Sequence, residues 1–226
     1  MQIATSRKTK PYKGVAMEGM IATWYAKNTA GSLAEFRDLA KRVAAELRPG
    51  DNLLEIAPGP GYLAMELARL GPYRVIGLDI SHSFVRIAAE NAARAGIDVD
   101  FRQGDAAALP FAAKQFEFVL CRAAFKNFAD PLGSLGEMHR VLRPGGTALI
   151  VDLRNDASDG AIAHEVTKMN LGRISEFVTR TALRSLRKRA YSKTDLKSML
   201  GRTPFRHGEI SEYGIGFEIR LTRSTN

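Results

Sequence analysis

The stretch LLEIAPGPGYLAMELA, residues 53–68, decides the fold. Leu53, Leu54 and Ile56 are apolar around Glu55, as in a strand buried on both faces. A Gly59-Pro60-Gly61 loop follows, and the residues after it read as a helix. A strand that turns into a helix across glycines brings bare backbone and a helix N-terminus close to a ligand. Taken alone, Gly59 to Ala64 fits GxGxxA, a pattern shared with dinucleotide-binding enzymes.

The same alternation continues outward. Apolar runs at 52–56, 74–78, 98–101, 116–121 and 147–152 alternate with helical stretches at 61–70, 82–95 and 132–142. Strands apolar on both faces and separated by helices make a parallel sheet covered on each side. Right-handed crossovers then give a doubly wound α/β domain. Pro144 with Gly145-Gly146 reads as a helix stop. Before the alternation, 17–28 and 32–48 read as helices, and Met17, Met20, Ile21, Trp24 and Tyr25 form an apolar stripe fit for core or lid. After residue 153 comes a helical insertion of about forty residues, then a helix at 193–200 begun by Ser192. Strands at 206–212 and 215–222, joined at Tyr213-Gly214, form an antiparallel hairpin. The expected architecture is a mostly parallel seven-stranded sheet with that hairpin at its end, an N-terminal helical lid and a helical insertion after strand 5. The chain divides into a basic segment and lid (1–45), a Rossmann-like core (46–153) and a substrate-side region of the same domain (154–226).

Composition sets the outer limits. The chain has 226 residues, 45% hydrophobic and 25% charged, which is ordinary for a globular protein long enough to bury a full core. Cys121 is the only cysteine, so no intrachain disulfide forms. No apolar run approaches the ~20 residues of a membrane span. The opening MQIATSRKTKPYKG lacks the apolar centre of a secretory signal, so a cytoplasmic protein is expected. The net charge of +9 is uneven: +4 over residues 1–30, −1 over 31–153 and +6 over 154–226. Such flanks suit an anionic substrate, nucleic acid, an anionic membrane surface, or solubility alone.

Three acids refine the glycine loop. Glu55 ends the first strand, where it would repel a pyrophosphate and receive a cationic ligand. Asp79 stands at the tip of the second strand, where a carboxylate can hold two ribose hydroxyls. Asp105 follows the third strand in FRQGDAAALPF.

The series LLEIAPGPG, GLDIS, QGDAAALPF, FEFVLCRAAF and HRVLRPGG resembles the class I S-adenosylmethionine-dependent methyltransferases, in particular the small-molecule branch that includes quinone-biosynthesis enzymes. The resemblance covers about residues 45–153 and implies S-adenosylmethionine as cofactor. It implies that Gly59 and Gly61 let the backbone pass the cofactor's amino-acid part, with Glu55 near the ammonium. Asp79 then holds the ribose, Ile80 packs on the adenine, Asp105 accepts from the adenine amino group, and Ala106 beside Gly104 donates from its backbone. Arg122 lies at the junction of cofactor and substrate, and Tyr25 lies near the cofactor's carboxylate. The family loop is usually ExGxGxG. Ala57 stands at the first glycine here, an exchange tolerated by a backbone without positive φ.

Methyl transfer from a sulfonium needs alignment more than proton transfer, so a general base is optional. His164 in the insertion, Asp152 at the end of the fifth strand and Arg122 are the candidate catalytic residues. His139 reads as an exposed structural residue, His82 as a flank of the ribose site, His207 as the start of a closing strand and Cys121 as a small buried side chain. No cluster has metal-ligand spacing. Cys121-Arg122-Ala123-Ala124 differs from the Asn/Asp-Pro-Pro-aromatic motif of adenine and glutamine methylation, and a Pro-Cys nucleophile for cytosine is absent. A small-molecule acceptor, anionic or lipophilic, is therefore expected, with peripheral membrane contact open and nucleic acid disfavoured. The alternatives are an RNA-directed methyltransferase and an NAD-dependent oxidoreductase. In the insertion, Arg173, Arg180, Arg184 and Arg187 share one helical face, and Ile174, Phe177, Val178, Ala182 and Leu186 cover the adjoining one.

Overall fold

The computed structural model describes residues 12–13, 17–29 and 33–225. Lys8 and Lys10 of the basic N-terminal segment lie outside them. The elements run α1 (Gly19–Thr29), α2 (Leu33–Ala44), β1 (Asn52–Ile56), α3 (Tyr62–Leu70), β2 (Arg74–Asp79), α4 (His82–Ala95), β3 (Asp100–Gln103), β4 (Phe116–Arg122), α5 (Pro131–Val141), β5 (Leu142–Leu153), α6 (Asp159–Lys168), α7 (Arg173–Arg187), α8 (Lys193–Gly201), β6 (Glu209–Tyr213) and β7 (Gly216–Thr222).

The seven strands form one sheet in the order β3-β2-β1-β4-β5-β7-β6. β1 to β5 are parallel, and β7 runs antiparallel to both β5 and β6. Alternate residues of each central strand enter opposite layers, which is why these runs are apolar throughout. Leu54, Ile56, Val119, Cys121 and Ile150 join the layer containing Leu135, Met138 and Leu196. Leu53, Phe118, Leu120 and Leu149 join the layer containing Phe36, Leu39, Leu63 and Leu67. The sheet order reverses direction between β1 and β4, and a crevice opens at such a point beyond the carboxyl ends of the strands.

Several boundaries differ from the expectations. β3 begins two residues later than 98, because Gly96 closes α4 at φ 63° and the Ile97 amide donates back to Ala92 O (3.0 Å) before the chain reaches the sheet. The helix before β5 stops at Val141, ahead of Pro144, and Leu142 already pairs with Phe116. Residues 143–146 then bulge before Thr147 pairs with Phe118, with Gly145 at φ 80°. Glycine is required at 146, where a Cβ would sit 2.9 Å from both Arg143 O and Glu117 O. The closing hairpin turns at Gly214-Ile215 rather than Tyr213-Gly214. α2 ends at Ala44, not 48.

The amphipathic readings at both flanks need correction. In α1 the small residues Ala22 and Ala26 are buried against Phe84 and Ile87, while Met20, Ile21 and Trp24 are exposed. In α7 the arginine side turns toward α6: Arg184 and Arg187 both lie against Asp159 (3.4 and 3.0 Å), and Arg187 Nη1 donates to Ala157 O (2.6 Å). The apolar ridge of α7 faces outward instead.

Candidate active site

The crevice between the tips of β1 and β4 is lined by Tyr25, Phe36, Glu55, Ala57, Pro58, Gly59, Pro60, Tyr62, Arg122 and Ala123. It encloses about 350 Å³ of empty space, part of it open to solvent. The sequence-derived residues Tyr25, Glu55, Ala57, Gly59 and Arg122 therefore meet in one place.

Backbone conformation shapes the floor. Ala57 has φ 57° and its amide donates to Leu78 O (2.7 Å). The expectation of an ordinary backbone there is wrong, because the turn out of β1 requires the left-handed conformation, which costs an alanine on the order of 1–3 kcal/mol. Ala123, at the tip of β4, is likewise at φ 59°. Gly59 (φ 55°) faces Tyr25, whose ring carbon would lie 3.9 Å from an added Cβ. Gly61 (φ 82°) serves packing: a Cβ there would stand 2.7 Å from the Phe101 ring and 2.9 Å from Ala88 Cβ.

Glu55 is the electrostatic centre. It is buried, and its Oε2 has no hydrogen-bond partner. Burial pushes its pKa up to about 8, with nearby Arg122 pulling the other way. A buried carboxyl with an idle oxygen facing a cleft is the complement of a cationic group. Arg122 itself is paired with Glu35 (2.6 Å) and lies over the Phe36 ring (4.5 Å to the centroid).

Asp79 is buried beside this centre. Its Oδ2 accepts from the Gly59 amide (3.0 Å) and its Oδ1 from the Ser81 amide (2.9 Å), tying the glycine loop to the start of α4. Burial raises its pKa to about 6 against those hydrogen bonds. Each oxygen keeps accepting capacity for a ligand hydroxyl. Gly104 donates to Asp79 O (2.9 Å), and a Cβ on it would stand 2.7 Å from Leu78. Asp105 Oδ1 accepts from Ala107 N (2.9 Å), Ala106 is buried, and Ile80 is half-buried with its carbonyl accepting from Gln103 Nε2 (3.2 Å). These four residues flank the cleft at the tips of β2 and β3 without lining it.

α1 lies over the glycine loop. Glu18 accepts from the amides of His82 and Ser83 (3.0 Å each), Ser83 Oγ accepts from Gly19 N (2.9 Å) and Ser81 Oγ donates to Met17 O (2.7 Å). Tyr25 packs edge-on against Phe84, ring centroids 5.7 Å apart. Nothing in the sequence pattern singled out Glu18, Phe36, Tyr62 or Ala123, since their roles depend on which chain ends the fold brings together. His82 is exposed at the head of α4.

The catalytic candidates separate. Asp152 is fully enclosed in an ion pair with Lys126 (2.7 Å) and also accepts from the amides of Lys126 and Leu153. His164 is exposed on α6 and lies outside the cleft lining. His139 is half-buried rather than exposed, edge-on to Phe205 at 4.9 Å, and burial lowers its pKa. His207 precedes β6 rather than starting it. Among the described residues, no three His, Cys, Asp or Glu side chains are grouped to hold a metal ion. No helix among them is long and apolar enough to cross a membrane.

A methyltransferase-domain family model matches residues 54–150. A demethylmenaquinone methyltransferase of Deinococcus radiodurans is 31% identical over 182 residues, 76% of this chain and 76% of that protein. Its counterpart from Thermus thermophilus is 37% identical over 123 residues, 54% of this chain and 56% of that protein. For several curated relatives the matched stretch is about half of their own length. A solved SAM-dependent methyltransferase from Aquifex aeolicus superposes with a TM-score of 0.63 over 84% of this chain and 97% of that one, at 18% identity, a likeness of fold.

Proposed function

We propose that this chain, which belongs to the class I S-adenosylmethionine-dependent methyltransferases, transfers a methyl group to a nucleophilic atom of a small, lipophilic aromatic acceptor such as a quinol. The observation that carries the cofactor half is the unpartnered, buried Oε2 of Glu55 in the cleft wall. It fits the ammonium of S-adenosylmethionine and opposes the pyrophosphate of NAD.

Bound S-adenosylmethionine supplies an electrophilic methyl carbon on a sulfonium sulfur. In this reading Glu55 holds the cofactor's ammonium and Asp79 its ribose hydroxyls, while Gly59 leaves the backbone bare along its path. Asp105 and the Ala106 amide meet the adenine edge, with Ile80 against its face. Tyr25, Phe36 and Tyr62 exclude water, and exclusion of water strengthens every charge interaction inside the cleft. Arg122 contributes positive charge that favours the ionised form of an acceptor hydroxyl. The chain's share of catalysis is alignment, which supplies on the order of 7–11 kcal/mol in favourable cases. The lipophilic acceptor is supported by the names of the two quinone-pathway relatives.

The test has two parts. Thermal shift with S-adenosylmethionine, S-adenosylhomocysteine and NAD is expected to show stabilisation by the first two alone. Transfer of labelled methyl groups is then measured across quinols, phenols, thiols and amines, with quinols expected to lead. Stabilisation by NAD alone overturns the cofactor assignment, and labelling of amines alone overturns the acceptor class.

A further inference from the structure

We propose that α7, the outer helix of the α6–α7 hairpin, docks lengthwise on an anionic phospholipid bilayer. The proposal rests on the lipophilic-acceptor reading above and adds where such an acceptor is collected. α7 is fifteen residues long and buries none of them. Ile174 is 83% exposed and Phe177 71%, with Val178, Leu171 and Met169 exposed beside them. Soluble proteins seldom leave a contiguous apolar ridge of this kind in water without a partner.

The charge around the ridge identifies the partner. From Asp159 to Arg189 there are seven basic residues and three acidic ones. Arg184 and Arg187 share Asp159, Arg180 pairs with Glu176 and Lys168 with Glu165, which leaves the segment a net positive charge with Arg173 and Lys188 outside these pairs. A helix with an apolar ridge, a basic remainder and low overall hydropathy is suited to lie in a bilayer interface, with the apolar side chains among the acyl chains and the cations near anionic headgroups. A second copy of this surface is disfavoured, because pairing would set like charges against each other.

The experiment is co-sedimentation of the full chain with vesicles of phosphatidylcholine alone and with about one-third phosphatidylglycerol. The chain is expected to sediment with the anionic vesicles only, and high salt is expected to release it. Ile174→Ser with Phe177→Ser, and separately Arg173→Gln with Lys188→Gln, should each weaken binding about tenfold. All four side chains are exposed, so an unchanged melting temperature verifies that both variants remain folded. Absence of sedimentation, or sedimentation indifferent to the Ile174/Phe177 variant, overturns the proposal. So does concentration-dependent self-association that this variant abolishes, since the ridge would then meet a second copy. S-adenosylhomocysteine titrations of the same proteins keep the two readings separate: equal binding in wild type and variants upholds the cofactor site whatever the vesicles show.

Discussion

Lys126 Nζ stands 2.7 Å from Asp152 Oδ1, with the two side chains 5% and 0% exposed. Lys126 also donates to Ala123 O, so the pair fastens the end of β5 to the turn that leaves β4 beside the cleft. Asp152→Asn leaves the ammonium buried without its counter-charge. That should cost about 3–5 kcal/mol in urea denaturation, and Lys126→Met added to it should recover part of the loss. Unchanged stability with abolished turnover would instead return Asp152 to the role of a base.

Ala57 holds a positive φ at the mouth of β1. Ala57→Gly removes that strain but frees the unfolded chain, so the net gain should be about 0.5–1 kcal/mol. Thermal or urea unfolding measures it. A loss of stability would mean that the alanine methyl makes packing contacts outweighing the strain.

Asp79 accepts from Gly59 and Ser81 and is assigned to the ribose. Asp79→Asn keeps one carbonyl acceptor and removes the charge. Binding of S-adenosylhomocysteine should weaken by roughly 1–3 kcal/mol in calorimetry. Unchanged affinity would confine Asp79 to ordering the glycine loop.

The sheet was legible because its strands are buried on both faces, which leaves short apolar runs between helices whatever the loops do. The edge strand β3 was placed early because Asp100, Arg102 and Gln103 are polar and follow no such pattern. Glu55, Gly59 and Asp79 were legible because their positions follow from where parallel strands end. Asp152 too ends a strand, and only the fold shows that Lys126 pairs with it. The Arg173–Arg187 periodicity was real, yet helical spacing gives two faces without saying which turns inward, and Asp159 decided it.

Glu55 has a folded pKa near 8, raised by burial above its ordinary value. A raised pKa means that the folded state retains a proton that the unfolded chain has already lost, so stability falls as pH rises from about 4.5 to about 8. Glu55→Gln mimics the protonated form. It should raise the melting temperature near pH 8 and leave it nearly unchanged near pH 4. Identical melting curves for both proteins across this window would show that Glu55 titrates normally.

The most direct test of the cofactor site is calorimetric titration of S-adenosylhomocysteine into wild type and Glu55→Gln between pH 7 and pH 8, above the Asp79 pKa of about 6 and ending near the Glu55 pKa. A ligand ammonium beside Glu55 favours the carboxylate, so binding expels a proton and wild-type affinity should rise with pH, by at most about tenfold per unit. Glu55→Gln should bind about 1–3 kcal/mol more weakly near pH 8 and lose most of the pH slope. Equal affinity and equal slope in the two proteins, or no binding by wild type, would contradict the assignment of this cleft to S-adenosylmethionine.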